Sequence, residues 1–211
     1  MFNLDNLKEE SLDAYIWGGV PNLHKVTPEY FFDCAVKDIE DGTSERHLAN
    51  AISNAKKALH LRAEELCGGL GVFKIRTRNF PYLIEYLSKC GIIAPRILLR
   101  INKLRNKVEH DFYIPTLEEV ENFIDITQLF LESTRKWMER LPREIEIVGE
   151  VLDESKSYFL VNIVLDWKIP ALKLHYADKN SNQPGKTHIL KPDEELYFKV
   201  SRMVFRNRGA M

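Results

Sequence analysis

Three cysteines, Cys34, Cys67 and Cys90, are all the 211-residue chain carries. They are odd in number, far apart and free of any Cys-x-x-Cys spacing, so neither a disulfide framework nor a thiolate zinc site follows. Reduced thiols in a cytoplasmic protein are the expectation. No stretch approaches the roughly 18 apolar residues of a membrane span, so no membrane contact is expected. Met1 to Glu10 holds acids and no long apolar run, which does not fit a signal peptide. The formal net charge of -1 excludes a generally basic nucleic-acid binder, so any contact with RNA must come from local patches. Paired carboxylates, a nucleophile triad and metal-ligand spacings are all missing, and neither a metal nor another cofactor is expected. Gly68-Gly69-Leu70-Gly71 lacks both the Lys-Ser/Thr and the preceding strand of a phosphate-binding loop.

What is present divides the chain by hydrophobic period. The first 26 residues read as irregular, with one short amphipathic turn around Leu12, Tyr15, Ile16 and Trp17. Thr27-Pro28 has the signature of an N-cap and first helical residue, and predicts a helix to about Asp41 with Tyr30, Phe31, Cys34 and Val36 in the core. A second helix runs to about Cys67, with Leu48, Ile52, Ala55, Leu59, Ala63 and Leu66 on one face. Its Ala51, Ala55 and Ala58 permit the close approach expected of a central helix. The basic Arg76-Thr77-Arg78 loop follows, then a short helix from Pro81 to Cys90-Gly91 and another from Pro95. Pro115 forbids continuation of the latter. Thr116 and Glu119 make a capping box for a last helix, whose inner face is predicted at Leu117, Val120, Ile124, Thr127, Leu131, Thr134 and Met138. Phe123, Phe130 and Trp137 lie alongside as packing or dimer surface.

From Arg143 the period becomes two. Strands are predicted over Glu144–Val151, Tyr158–Leu165, Ala171–Tyr176, Thr187–Leu190 and Leu196–Val200, with a turn-rich loop from Asp178 to Gly185. The tail carries Lys199, Arg202, Arg206 and Arg208, a solvated segment or a binding arm. The expected fold class is therefore mainly α with a C-terminal β part (α+β). A helical bundle over residues 1–142 is followed by a small antiparallel β unit over 143–211.

The stretch that bears chemistry is Leu104-Arg105-Asn106-Lys107-Val108-Glu109-His110. Arginine grips a phosphate with a planar fork, and histidine moves a proton near neutral pH. Together they meet the minimum for phosphodiester cleavage without a metal. In the helix from Pro95, Ile97, Ile101, Leu104 and Val108 form the predicted buried stripe. Arg96, Arg100, Lys103 and Lys107 form a basic stripe about 100° round from it. Asn106 and His110 fall roughly opposite the buried face, so a site made of them needs a second wall. The same residues also fit a plain reading, in which Arg105 and Glu109 are an i, i+4 ion pair and His110 a cation at the helix C-terminus.

Arg105-Asn106-Lys107-Val108-Glu109-His110 fits R-x4-H with Asn after the Arg, and so resembles the signature of the HEPN superfamily of small helical domains. The likeness extends more loosely over Thr27 to Leu141. It implies a HEPN-like bundle and a metal-independent endoribonuclease of bacterial toxin–antitoxin or phage-defence systems, working as a homodimer that sets two motifs face to face. On that reading His110 is the general acid/base, Arg105 holds the scissile phosphate and Asn106 positions an RNA oxygen or His110. The RNA's own 2′-OH is the nucleophile, and Arg96, Arg100, Lys103 and Lys107 contact the RNA backbone. An antitoxin or defence partner is implied as well. The competing class is a non-catalytic HEPN-like module that binds RNA or protein.

Overall fold

The computed structural model describes residues 4, 6–72, 79–111, 113–181 and 183–206. Among them are six α-helices and one five-stranded antiparallel sheet. The helices are α1 (Pro28–Asp41), α2 (Glu45–Gly69), α3 (Phe80–Lys89), α4 (Pro95–His110), α5 (Leu117–Glu139) and α6 (Glu195–Arg206). The strands are β1 (Leu12–Gly18), β2 (Leu141–Ile147), β3 (Tyr158–Asp166), β4 (Ala171–Asp178) and β5 (Pro184–Leu190), paired in that order as a meander. The mixed α+β class follows directly from these elements.

Helix boundaries sit where local chemistry puts them. Thr27 Oγ1 accepts from the Tyr30 N–H, and Thr116 and Glu119 form the reciprocal capping box of α5. Asn79 caps α3 by accepting from the Tyr82 N–H at 2.9 Å. Helix α3 ends in Cys90 followed by Gly91, whose φ of 84° suits a residue without Cβ.

Helix α2 is the axis. Leu48, Ile52, Leu59, Leu66 and all three close-approach alanines are buried, and α1, α3, α4 and α5 pack around it. Tyr30, expected in the core, is 57% exposed, and on α1 only Pro28 and Ala35 are fully buried. Phe123, Phe130 and Trp137 are buried to 5% exposure or less. They are core residues, so they offer no dimer surface. Trp137 meets Phe205 of α6 edge-to-face at 5.5 Å. The buried cluster runs without a break from the helices into β2, β3 and β4.

Strand β2 runs over Leu141–Ile147, three residues earlier than the expected start at Glu144 and without Val148–Val151, and two further segments differ in kind from their expected structure. The segment read as an irregular N-terminus supplies β1, the edge strand paired with β2. Register shifts between Leu12 and Tyr15 and again between Ile16 and Trp17 interrupt its alternation, and its partner lies about 130 residues away. Leu196–Val200, expected as a strand, belongs to α6. There the buried residues Tyr197, Val200, Ser201, Val204 and Phe205 recur at i, i+3, i+4, i+7 and i+8. The basic residues after the meander therefore ride on a packed helix, with Arg202 donating to the Lys89 carbonyl at 3.2 Å. Arg208, like the Arg76-Thr77-Arg78 loop, lies outside the described residues.

Arg143 of β2 ties the two layers together. Its guanidinium donates to the Gly69 carbonyl at 2.9 Å and the Gly19 carbonyl at 3.2 Å, and it lies against the Trp167 ring. Burial pulls its pKa down to about 9.

Candidate functional site

Helix α4 is rotated from its expected setting. Leu98 and Ile101 are its fully buried residues, with Leu104 and Val108 packed partly against the core, while Ile97 is 44% exposed. Packing on α3 and α2 selects the stripe through Leu98. The turn brings Arg105 inward, to 20% side-chain exposure, and leaves Asn106 half-buried. His110 is exposed in the last turn. Arg96, Arg100, Lys103 and Lys107 are all exposed, as the spacing predicts.

Arg105 and Asn106 therefore have a wall within their own chain. An open groove of about 420 Å3 lies between α4, which brings Asn102, Arg105 and Asn106, and α2, which brings Lys56 and His60. The start of α3, at Asn79, Phe80 and Pro81, closes one end. His110 is not among the residues lining it. Lys56 and His60 were not legible as site residues, because they lie more than 40 positions upstream of the motif. One signal was available: Lys56, His60 and Glu64 recur at i, i+4 and i+8, a polar line on a helix otherwise occupied with the core.

The groove is held by a chain of charges. Arg105 pairs with Glu109, and the other Glu109 oxygen accepts from Lys56 at 2.8 Å. The Arg105 Nη1 also donates to Asn106 Oδ1 at 2.7 Å. Partial burial pushes the Glu109 carboxyl up, but the hydrogen bond and charge of Lys56, then those of Arg105, outweigh it. The carboxyl is held below its usual range. Arg105 and Glu109 thus do form the i, i+4 pair of the plain reading, and Lys56 extends it across the groove. The Arg105 Nε is buried with no hydrogen-bond partner among the described residues. Behind the groove, Glu64 sits between two imidazoles, at 3.7 Å from His60 and 3.6 Å from His24. The His60 ring also meets Phe80 edge-on, with centroids 6.0 Å apart.

On the other side of α4 is a larger opening, about 610 Å3, shared with α5. Arg100, Lys103 and Lys107 border it, and Ile101, Leu104, Phe123 and Ile126 line it. Glu119 stands at its edge. The Thr116 backbone N–H, then the Tyr113 hydroxyl, hold that carboxyl below its usual range against the opposing effect of partial burial. Basic and apolar groups thus meet on this side, while on the other side cations meet amides and an imidazole.

Among the described residues no group of three or more His, Cys, Asp or Glu is placed to hold a metal ion. No helix among them is long and apolar enough to cross a membrane. Comparison of the chain with protein-family models, curated proteins and solved structures returned no match.

Proposed function

We propose that the protein is a metal-independent endoribonuclease of the HEPN type, cytoplasmic, working in a bacterial toxin–antitoxin or phage-defence setting. Helices α1 to α5 are the HEPN-like bundle of this reading. The observation that carries it is the polarity of α4: an arginine and an amide are fixed at a groove, four exposed cations run beside them, and a histidine follows one turn on. Arg105 steadies charge on the scissile phosphate, and a guanidinium already oriented by Glu109 loses little freedom on doing so. Asn106 places an RNA oxygen. His110 moves the proton to or from the reacting oxygens. The attacking group is the 2′-OH of the RNA. Arg96, Arg100, Lys103 and Lys107 hold the backbone on either side.

His110 stands outside the Arg105 groove, so the reading brings a second chain's motif to it. A two-fold contact through the exposed face of α4, where Ile97 and Leu99 are uncovered, uses the same patch twice. The expected mass at micromolar concentration is that of a dimer, and a strictly monomeric mass would contradict the composite site.

One observation favours the competing reading, a non-catalytic RNA- or protein-binding module: Arg105 is already paired with a carboxylate. The two separate in a cleavage assay on purified protein with and without EDTA, run beside Arg105→Ala. Cleavage that survives EDTA and is lost in the variant supports the ribonuclease. No cleavage of any RNA, with RNA binding retained, supports the module.

A further inference from the structure

We infer that the groove between α2, the start of α3 and α4 seats a single unpaired ribonucleotide, with its phosphate against Arg105 and Lys56 and its base against the amides of Asn102 and Asn79. The inference deepens the ribonuclease reading of the same site and rests on it for the choice of RNA. Four features lead to it.

The first is size: about 420 Å3 falls in the range of roughly 300–1,000 Å3 typical of small-molecule clefts. The second is the set of amides. Among the described residues the Asn102 side chain has no hydrogen-bond partner, so its donor and acceptor are both uncommitted. Asn79 spends its Oδ1 on the Tyr82 N–H, and Asn106 spends its Oδ1 on Arg105, which leaves both with Nδ2 donors. Base edges present paired donors and acceptors, and amides match them. The third is charge. Lys56 and Arg105 share one carboxylate, Glu109, so the three groups leave one positive charge at the groove. The fourth is shape. Among the described residues the walls are helices, open on one side, and a base enters such a slot only when it is free of its own pairing partner.

His60 borders the same groove from α2 and supplies the readout. The test is an NMR titration of the whole chain with the four ribonucleoside 3′-monophosphates, with inorganic phosphate, and with a short 2′-O-methyl RNA offered as single strand and as duplex. The His60 ring signal is assigned with His60→Gln. Saturable shifts of His60 are expected with at least one mononucleotide and with the single strand, and not with the duplex. Binding by the single strand alone, with no mononucleotide bound, would overturn the single-nucleotide seat. Asn102→Ala should weaken mononucleotide binding about fivefold to tenfold, the effect of losing a sound hydrogen bond. Alanine at this helical position leaves folding intact. An unmoved His60 signal, equal binding of the duplex, or unchanged affinity in Asn102→Ala would each overturn the inference. So would phosphate reproducing all of the shifts at equal affinity, since that marks an anion site without base contacts. None of these ligands needs to be cleaved. Binding without ribonuclease activity would sink the catalytic reading and spare the groove, and activity without groove binding would do the reverse.

Discussion

The two sides of α4 differ in how their cations are held. Towards α5, Arg100, Lys103 and Lys107 stand exposed above an apolar floor. Lys107 lies near the Tyr113 ring at 6.0 Å, and Glu119 is occupied with its own helix cap. Towards α2, Arg105 and Lys56 are fixed by one carboxylate, and Arg105 is mostly buried. Loose cations attract a polyanion from a distance and are screened by salt. Fixed ones act at short range, where orientation counts for more than net charge. On the proposed ribonuclease reading, one helix divides capture from positioning, and the division is what its substitutions should reveal.

The largest effect is expected from His110→Ala. A general acid/base lost from the reaction costs on the order of 10²–10⁴-fold in rate. Because His110 is exposed, its removal opens no core cavity, and the unfolding midpoint should not move. A variant that unfolds several degrees earlier would make His110 structural and break the proposed division. A smaller effect belongs to the capture side. Arg100→Gln with Lys103→Gln should weaken binding of single-stranded RNA, and flatten the dependence of log K on log salt by about 1.4 if each residue neutralises one phosphate. An unchanged salt slope would mean that this face does not touch RNA.

The smallest effect concerns Glu109 and sharpens the contrast through pH. Its carboxyl is held below the usual range in the folded chain. A depressed carboxylate contributes stability that is present above the unfolded pKa and lost as pH falls through the folded one. Stability of the wild type should therefore decline as pH drops below the ordinary carboxylate range, and Glu109→Gln should remove that part of the decline. The pair is partly exposed, so the difference is expected to stay below about 1 kcal/mol. Chemical unfolding of both proteins between pH 3 and 7 checks it. Parallel curves would show that the charge chain adds nothing to the fold.

Much of the helical layer was legible because its punctuation is local: Thr27-Pro28, Thr116 with Glu119, and Gly91 act within a few residues of themselves. The meander from β2 to β5 was legible for the same reason. Strand β1 was not, since its shifted register hides the alternation and its partner is remote in sequence. Helix α6 was missed because five residues, Leu196 to Val200, are too few to tell period two from 3.6; the longer window through Phe205 resolves it. At the site, the sequence named Arg105, Asn106 and the exposed cations, but not what Arg105 faces. Choosing between the Ile97 and Leu98 stripes depends on where α3 packs, and both are apolar. That one-residue ambiguity put Arg105 and Asn106 on one wall of a groove and left His110, expected beside Asn106, outside it. Lys56 and His60 then entered from a helix that periodicity alone describes only as core.

The claim that α4 carries a transesterification site is tested most directly by the ends of its products. RNA incubated with the purified protein in EDTA should yield fragments bearing 2′,3′-cyclic phosphate, with the yield abolished in His110→Ala and in Arg105→Ala. Newly cut ends bearing a 3′-hydroxyl and a 5′-phosphate, or cyclic-phosphate fragments made equally well by both variants, would contradict the account.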